Sequence, residues 1–220
     1  MNKQTSAELP QGGSRTGRWR WALAVASIGA ALVLLALGSR PVEADGAWLG
    51  QQPLANWNTA GAAIPQAPPR TDPINPCPPQ GRSPQTDEDR QVAAAGWTLF
   101  GSFQGGYGLM VVMGATNFDG MCRPLAFQTF VFFLENFVGT LSPVLMDSRG
   151  DGVQGGVFIS APINDGLGPE GMPSVTASFS RYTADDPACC PSSTSTLTYT
   201  LVHTENGWVL TPGEVTTTAN

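Results

Sequence analysis

The sequence predicts an α+β domain, with one N-terminal helix packed on an antiparallel sheet of about six or seven strands. Three observations predict it. A capped, helix-periodic stretch opens near Thr86, the hydrophobic period then changes to two, and turn signals join the period-two segments.

The helix is read from "TDEDRQVAAAGWTLFG", residues 86–101. Thr86 is the N-cap, Asp87, Glu88 and Asp89 answer the helix dipole, and Gly101 supplies the stop. Val92, Ala95, Gly96, Leu99 and Phe100 fall at i, i+3, i+4, i+7 and i+8, one helical face. The first strand is "YGLMVVM" at 107–113, and "AFQTFVFFLENFVGTLS" reads as two strands around a turn at Glu135–Asn136. "GGVFISA" at 155–161 is another. "PSVTASFSRY" alternates, with Val175, Ala177 and Phe179 inward and Ser174, Thr176, Ser178 and Ser180 outward. "STLTYTLVHTENGWVL" sets Leu197, Tyr199 and Leu201 on one face and turns at Asn206–Gly207, a strong hairpin signal. The domain is expected over 86–214, with a disordered tail at 215–220.

Upstream, Lys3, Arg15, Arg18 and Arg20 precede an apolar run from Trp21 to Leu37, and Val42 and Ala44 occupy the −3 and −1 positions of a signal-peptidase site. The run either ends in cleavage before Asp45 or stays as an anchor over residues 21–38, since its length sits at the low edge for a bilayer span. Both readings give one N-terminal membrane passage, a cytoplasmic N-terminus and an exported remainder, secreted or anchored to the cell membrane. Residues 45–85 form a Pro-rich extracytoplasmic linker, where proline density opposes helix and sheet. Trp48 and Trp57 in it suggest that part of 48–65 lies back on the domain.

The chain has 11 basic and 17 acidic residues. Residues 1–44 hold five of the basic ones (Lys3, Arg15, Arg18, Arg20, Arg40) and two acidic ones (Glu8, Glu43), leaving six against fifteen and no lysine. Such a surface repels nucleic acid and anionic lipid, so nucleic acid is not an expected partner. Outside the cytoplasm the four cysteines, Cys77, Cys122, Cys189 and Cys190, read as disulfides. Neighbouring Cα atoms lie about 3.8 Å apart, against roughly 4.4–6.8 Å for a relaxed disulfide, so a Cys189–Cys190 bond would be strained. Each of the pair is expected to bond a distant cysteine, one Cys77 and the other Cys122. With no CxxC and a single histidine, no metal site and no cofactor are expected.

Three stretches, "FVGTLSPVLMDSRGDG", "ASFSRYTADDPACCPSS" and "LTYTLVHTENGWVLTP", resemble the LppP/LprE family of bacterial envelope lipoproteins, over roughly residues 87–212. The double cysteine before Pro191 and Ser192, with Arg181–Tyr182 upstream, is the most specific part. The resemblance implies a cell-envelope protein of unassigned biochemical role with no catalytic residues to carry over. The sequence departs from a lipoprotein pattern in having no cysteine before Cys77. N-terminal lipid attachment is therefore not expected.

Candidate chemistry is sparse. A serine nucleophile would need His203 as base, with Asp185 or Asp186 to orient it, but no GxSxG occurs. Asp87–Glu88–Asp89 fit a helix's first turn better than a glycosidase pair. Asp147 and Asp151 lack calcium-loop spacing. Arg123, Arg149 and Arg181 would make an anion site if they cluster. The expected function is a non-enzymatic extracytoplasmic envelope protein, a binding or structural module whose partner is an envelope protein or a glycan. The alternatives are a secreted hydrolase using His203 and a glycan-binding module using exposed tryptophans among Trp48, Trp57, Trp97 and Trp208.

Overall fold

Eight segments of alternating burial pair into two separate antiparallel sheets, and the computed structural model describes them through residues 46–70, 81–148, 150–162, 171–187 and 189–220. The signal or anchor segment, residues 21–38 included, and Cys77 lie outside the described residues. Among the described residues no helix is long and apolar enough to cross a membrane.

The first sheet is a meander of β1 (Thr98–Gly106), β2 (Leu109–Phe118), β3 (Pro124–Phe133) and β4 (Asn136–Thr140). The second is a meander of β5 (Val153–Ser160), β6 (Ser174–Arg181), β7 (Ser193–Thr204) and β8 (Gly207–Ala219). One apolar cluster takes residues from both, among them Val111, Val131 and Phe133 from the first and Phe179, Tyr199 and Leu201 from the second. The sheets therefore pack face to face as a sandwich. The outer face of the second sheet carries Ser174, Thr176 and Thr198 to solvent, with the Thr176 and Thr198 hydroxyls 3.0 Å apart, the usual polar side of an antiparallel sheet.

This corrects the predicted fold class. The chain is mostly β, two sheets of four strands rather than one sheet of six or seven under a helix. Period-two alternation marks a strand with one face buried, and it is the same whether that face meets a helix or another sheet. The helix α1 spans Asp87–Ala94, shorter than expected. Thr86 does cap it, accepting from the Asp89 amide at 3.2 Å. Gly96, at φ 90°, turns the chain out of the helix before Gly101 is reached. Leu99 and Phe100 then belong to β1, so their helical spacing was coincidental. The hairpin turns also sit one residue earlier than read, at Leu134–Glu135 and Glu205–Asn206. Residues 215–219, expected in a tail, pair with Ser193–Leu197 as the end of β8.

α1 covers the outer face of the first sheet. β3 alternates accordingly: Phe127, Val131 and Phe133 face the second sheet, while Phe130 and Phe132 join Val92, Ala95 and Trp97 beneath the helix. Gly114 is required there, because a Cβ would come within 2.7 Å of the Trp97 side chain. Buried on both faces, β3 reads as the continuous apolar run "FVFF".

The segment 46–67 forms a strap. A 3-10 turn at Gly46–Gly50 buries Trp48 and Leu49 in the sandwich core, where Trp48 meets Phe179 edge to face at 5.2 Å. Farther on, the Trp57 indole donates to the Thr140 carbonyl at 3.1 Å. Asn58 spans the seam between β4 and β8: its amide nitrogen donates to Thr140 and Leu210 carbonyls at 3.1 and 3.0 Å, and its oxygen accepts from the Thr140 amide at 2.8 Å. The strap then reaches the helix end, where Ala67 donates to Ala95 and the Trp97 indole donates to Pro65, both at 2.8 Å. Beyond it, Arg82 clamps Asp89, which is fully buried, with two hydrogen bonds, the second at 2.7 Å.

Candidate functional site

Two hairpin turns, the strap and the end of α1 converge on one open cleft of about 750 Å³. β3–β4 contributes Glu135 and Phe137, β7–β8 contributes Asn206 and Trp208, the strap Ile64 and Gln66, and α1 Gln91. The β3–β4 turn has an uncommon make-up. Leu134 and Glu135 both stand at positive φ, 48° and 68°, where asparagine and glycine are the usual occupants. Trp208 is half-buried, wedged between Phe133 at 5.4 Å and His203 at 4.7 Å, both edge to face. Its ring is thereby held in one orientation at the cleft edge. The side-chain amides of Gln66, Gln91 and Asn206 engage no partner among the described residues. An aromatic body with amides and one carboxylate around it can hold a polar ligand with an apolar face.

The residues singled out from the sequence do not assemble into a catalytic constellation. His203 is exposed, packs on Trp208, and has no hydroxyl or carboxylate hydrogen-bonded to it among the described residues. Asp186 accepts from the Thr183 amide at 2.8 Å and the Ser192 amide at 3.0 Å, closing the base of the loop between β6 and β7. Those amides, Thr183 first, draw its carboxyl down to about 2. Asp87 pairs with Arg90 on the surface, and Asp89 is taken by Arg82. Asp151 is held by Arg181 at 3.0 Å and by the Tyr182 amide at 2.8 Å. Arg123 pairs with Asp119 at 2.8 Å, so Arg123 and Arg181 each answer a local carboxylate, and Arg149 lies outside the described residues. No group of three potential metal ligands occurs among the described residues.

Of the four candidate tryptophans, Trp48 and Trp97 are buried, Trp57 is fastened to Thr140, and Trp208 alone lines the cleft. Sequence reasoning missed Gln66, Gln91 and Asn206, because an isolated amide side chain has no spacing signature.

The cysteine expectation needs correction. Cys122 is disulfide-bonded, but Cys189 and Cys190 both carry free, exposed thiols, so neither fastens a distant segment. The remaining cysteine, Cys77, lies outside the described residues. The β6–β7 loop ends in a tight turn, with the Cys190 amide donating to Pro187 at 2.9 Å, and this holds the pair out at the surface.

Comparison with protein families gives a match to part of the chain. The sequence model of the LppP/LprE lipoprotein family matches residues 102–203, from within β1 to near the end of β7. No curated protein and no solved structure matches the chain.

Proposed function

With residues 102–203 assigned to the LppP/LprE lipoprotein family, an envelope-associated family, we propose that this chain is a non-enzymatic extracytoplasmic binding module whose cleft takes a neutral glycan. The observation that carries the reading is the cleft itself, with the fixed Trp208 ring beside the unengaged amides of Gln66, Gln91 and Asn206. Sugar rings offer a C–H face to an aromatic and hydroxyl pairs to an amide, which matches this lining. Glu135 and the acidic balance of the exported chain disfavour anionic polymers. His203 serves this reading as a support for the indole, and that supports recognition over hydrolysis.

Calorimetric titration of the protein with uncharged soluble oligosaccharides, N-acetylated and not, tests the proposal. Binding should weaken about tenfold or more in Trp208→Ala, a loss of about 1.4 kcal/mol or more. Gln91→Ala, on the rim and away from the core, should weaken it with the fold intact. Saturable binding that neither variant changes moves the site elsewhere, and no binding across the panel removes the glycan reading. Turnover of an ester or glycoside that His203→Ala abolishes would restore the hydrolase.

A further inference from the structure

Three described cysteines share one compartment and differ in fate. Cys122 is bonded, while Cys189 and Cys190 are free. Their positions in the fold account for the difference. Both are exposed on the β6–β7 loop, whose base is closed by Asp186 on the Thr183 and Ser192 amides. The C-terminal Asn220 braces the same loop, its amide nitrogen donating to the Pro191 carbonyl at 2.8 Å and its backbone to Ser192 at 3.0 Å. Held this way, neither thiol packs into the core. The two thiols are adjacent in the chain and both are exposed. A bond between them is possible but strained, with Cα atoms about 3.8 Å apart against roughly 4.4–6.8 Å in relaxed bridges. Strained, exposed disulfides have the higher reduction potentials and are the labile ones, readily reopened by exchange.

We propose that Cys189 and Cys190 are a thiol–disulfide exchange site, cycling between the dithiol and a vicinal disulfide at the expense of a disulfide-bearing partner. The chemistry balances with that partner, written RSSR. One cysteine, as thiolate, attacks a sulfur of RSSR, breaking its S–S bond and releasing RS⁻, and a mixed disulfide remains. The neighbouring cysteine loses its proton to water and attacks the sulfur of the first cysteine. The mixed bond breaks, the second RS⁻ leaves, and the Cys189–Cys190 bond forms. Two electrons pass from the pair to two RSH, and the reverse sequence reopens the ring. Because a strained bond has the higher reduction potential, the closed pair hands its oxidation on to thiols near the envelope surface by the reverse sequence. The cleft and its ligand play no part in it.

The test is a redox titration of the full-length protein in reduced and oxidised glutathione, acid-quenched, alkylated and peptide-mapped. At the oxidising end the peptide containing both cysteines should lose two hydrogens and take up no label. It should return to two labels on reduction, with Cys122 unlabelled throughout. Cys190→Ser should stop at one trapped glutathione on Cys189, and its melting temperature should match the wild type, since no staple is lost. Two stable glutathione adducts in the wild type would overturn the proposal. So would two free thiols at every ratio, or a bridge from either cysteine to Cys77 or Cys122. A large fall in the melting temperature of Cys190→Ser would also overturn it, by showing a structural bond.

Discussion

Asn58→Ala removes the side chain that joins β4 to β8, where the two sheets share no backbone ladder. The Thr140 carbonyl keeps the Trp57 indole as a donor, so two groups are orphaned, the Thr140 amide and the Leu210 carbonyl. An unsatisfied buried polar group costs about 1–3 kcal/mol, and Asn58 is only half-buried, so water recovers part of the loss. The expected destabilisation is about 2–4 kcal/mol, a fall of roughly 5–15 °C for a unit of this size. Asn58→Asp should be at least as damaging, because a carboxylate oxygen then faces two carbonyl oxygens. Gly139 supplies an internal control. A Cβ there would come within 2.4 Å of the Asn58 side chain, so Gly139→Ala should destabilise the wild type. On the Asn58→Ala background the clash should vanish and only the strain of a side chain at the Gly139 φ of 151° should remain, a coupling that a double-mutant cycle reads directly. Calorimetric or circular-dichroism melts of the four proteins measure all of this. Asn58→Ala melting within about 1 °C of wild type, or strictly additive costs, would refute the role of the side chain as the seam's bridge.

Further expectations follow from the ion pair and the N-terminus. Asp89→Asn leaves the Arg82 guanidinium buried against an amide and should cost about 3–5 kcal/mol in chemical denaturation, whereas Asp87→Asn on the exposed Arg90 pair should cost under about 1 kcal/mol. Burial raises the Asp89 carboxyl, but Arg82 and the Gln85 and Thr86 backbone amides together hold it below its ordinary value. The stability it contributes is therefore complete above the unfolded value near 3.9 and is lost as pH falls through the lower folded value, so Asp89→Asn should show a shallower acid decline than wild type. Radiolabelled palmitate should not appear on the protein, since no cysteine precedes Cys77, and a labelled band would refute this.

Most of the second sheet was legible in the residues. "SVTASFSR" and the β7 stretch through Tyr199 and Leu201 alternate over long spans, and each alternate residue is buried as read. β1 was not legible. Leu99 and Phe100 happen to continue the helical spacing of Val92, and the following "GSFQGG" is bulged between Phe100 and Gln104, so no alternation announces a strand. The β7–β8 turn slipped by one residue because Asn206–Gly207 implied two positive φ angles. Only Gly207 has one, at 112°, and it pairs with Thr204, which puts the turn at Glu205–Asn206. The cleft was illegible for a different reason. Its lining comes from four segments between Gly61 and Trp208, and only the packed sandwich brings them together.

The strap has a consequence for how the chain assembles as it is synthesised from its N-terminal end. Trp57 and Asn58 emerge before any strand, yet the Leu210 carbonyl that Asn58 holds belongs to β8, the last strand to arrive. Until then the two meanders can each form locally, since every ladder joins consecutive strands. The earliest segment to appear must therefore wait for the latest. It closes the structure as a latch, and a chain truncated short of β8 would present an unlatched, protease-sensitive intermediate with its tryptophans exposed.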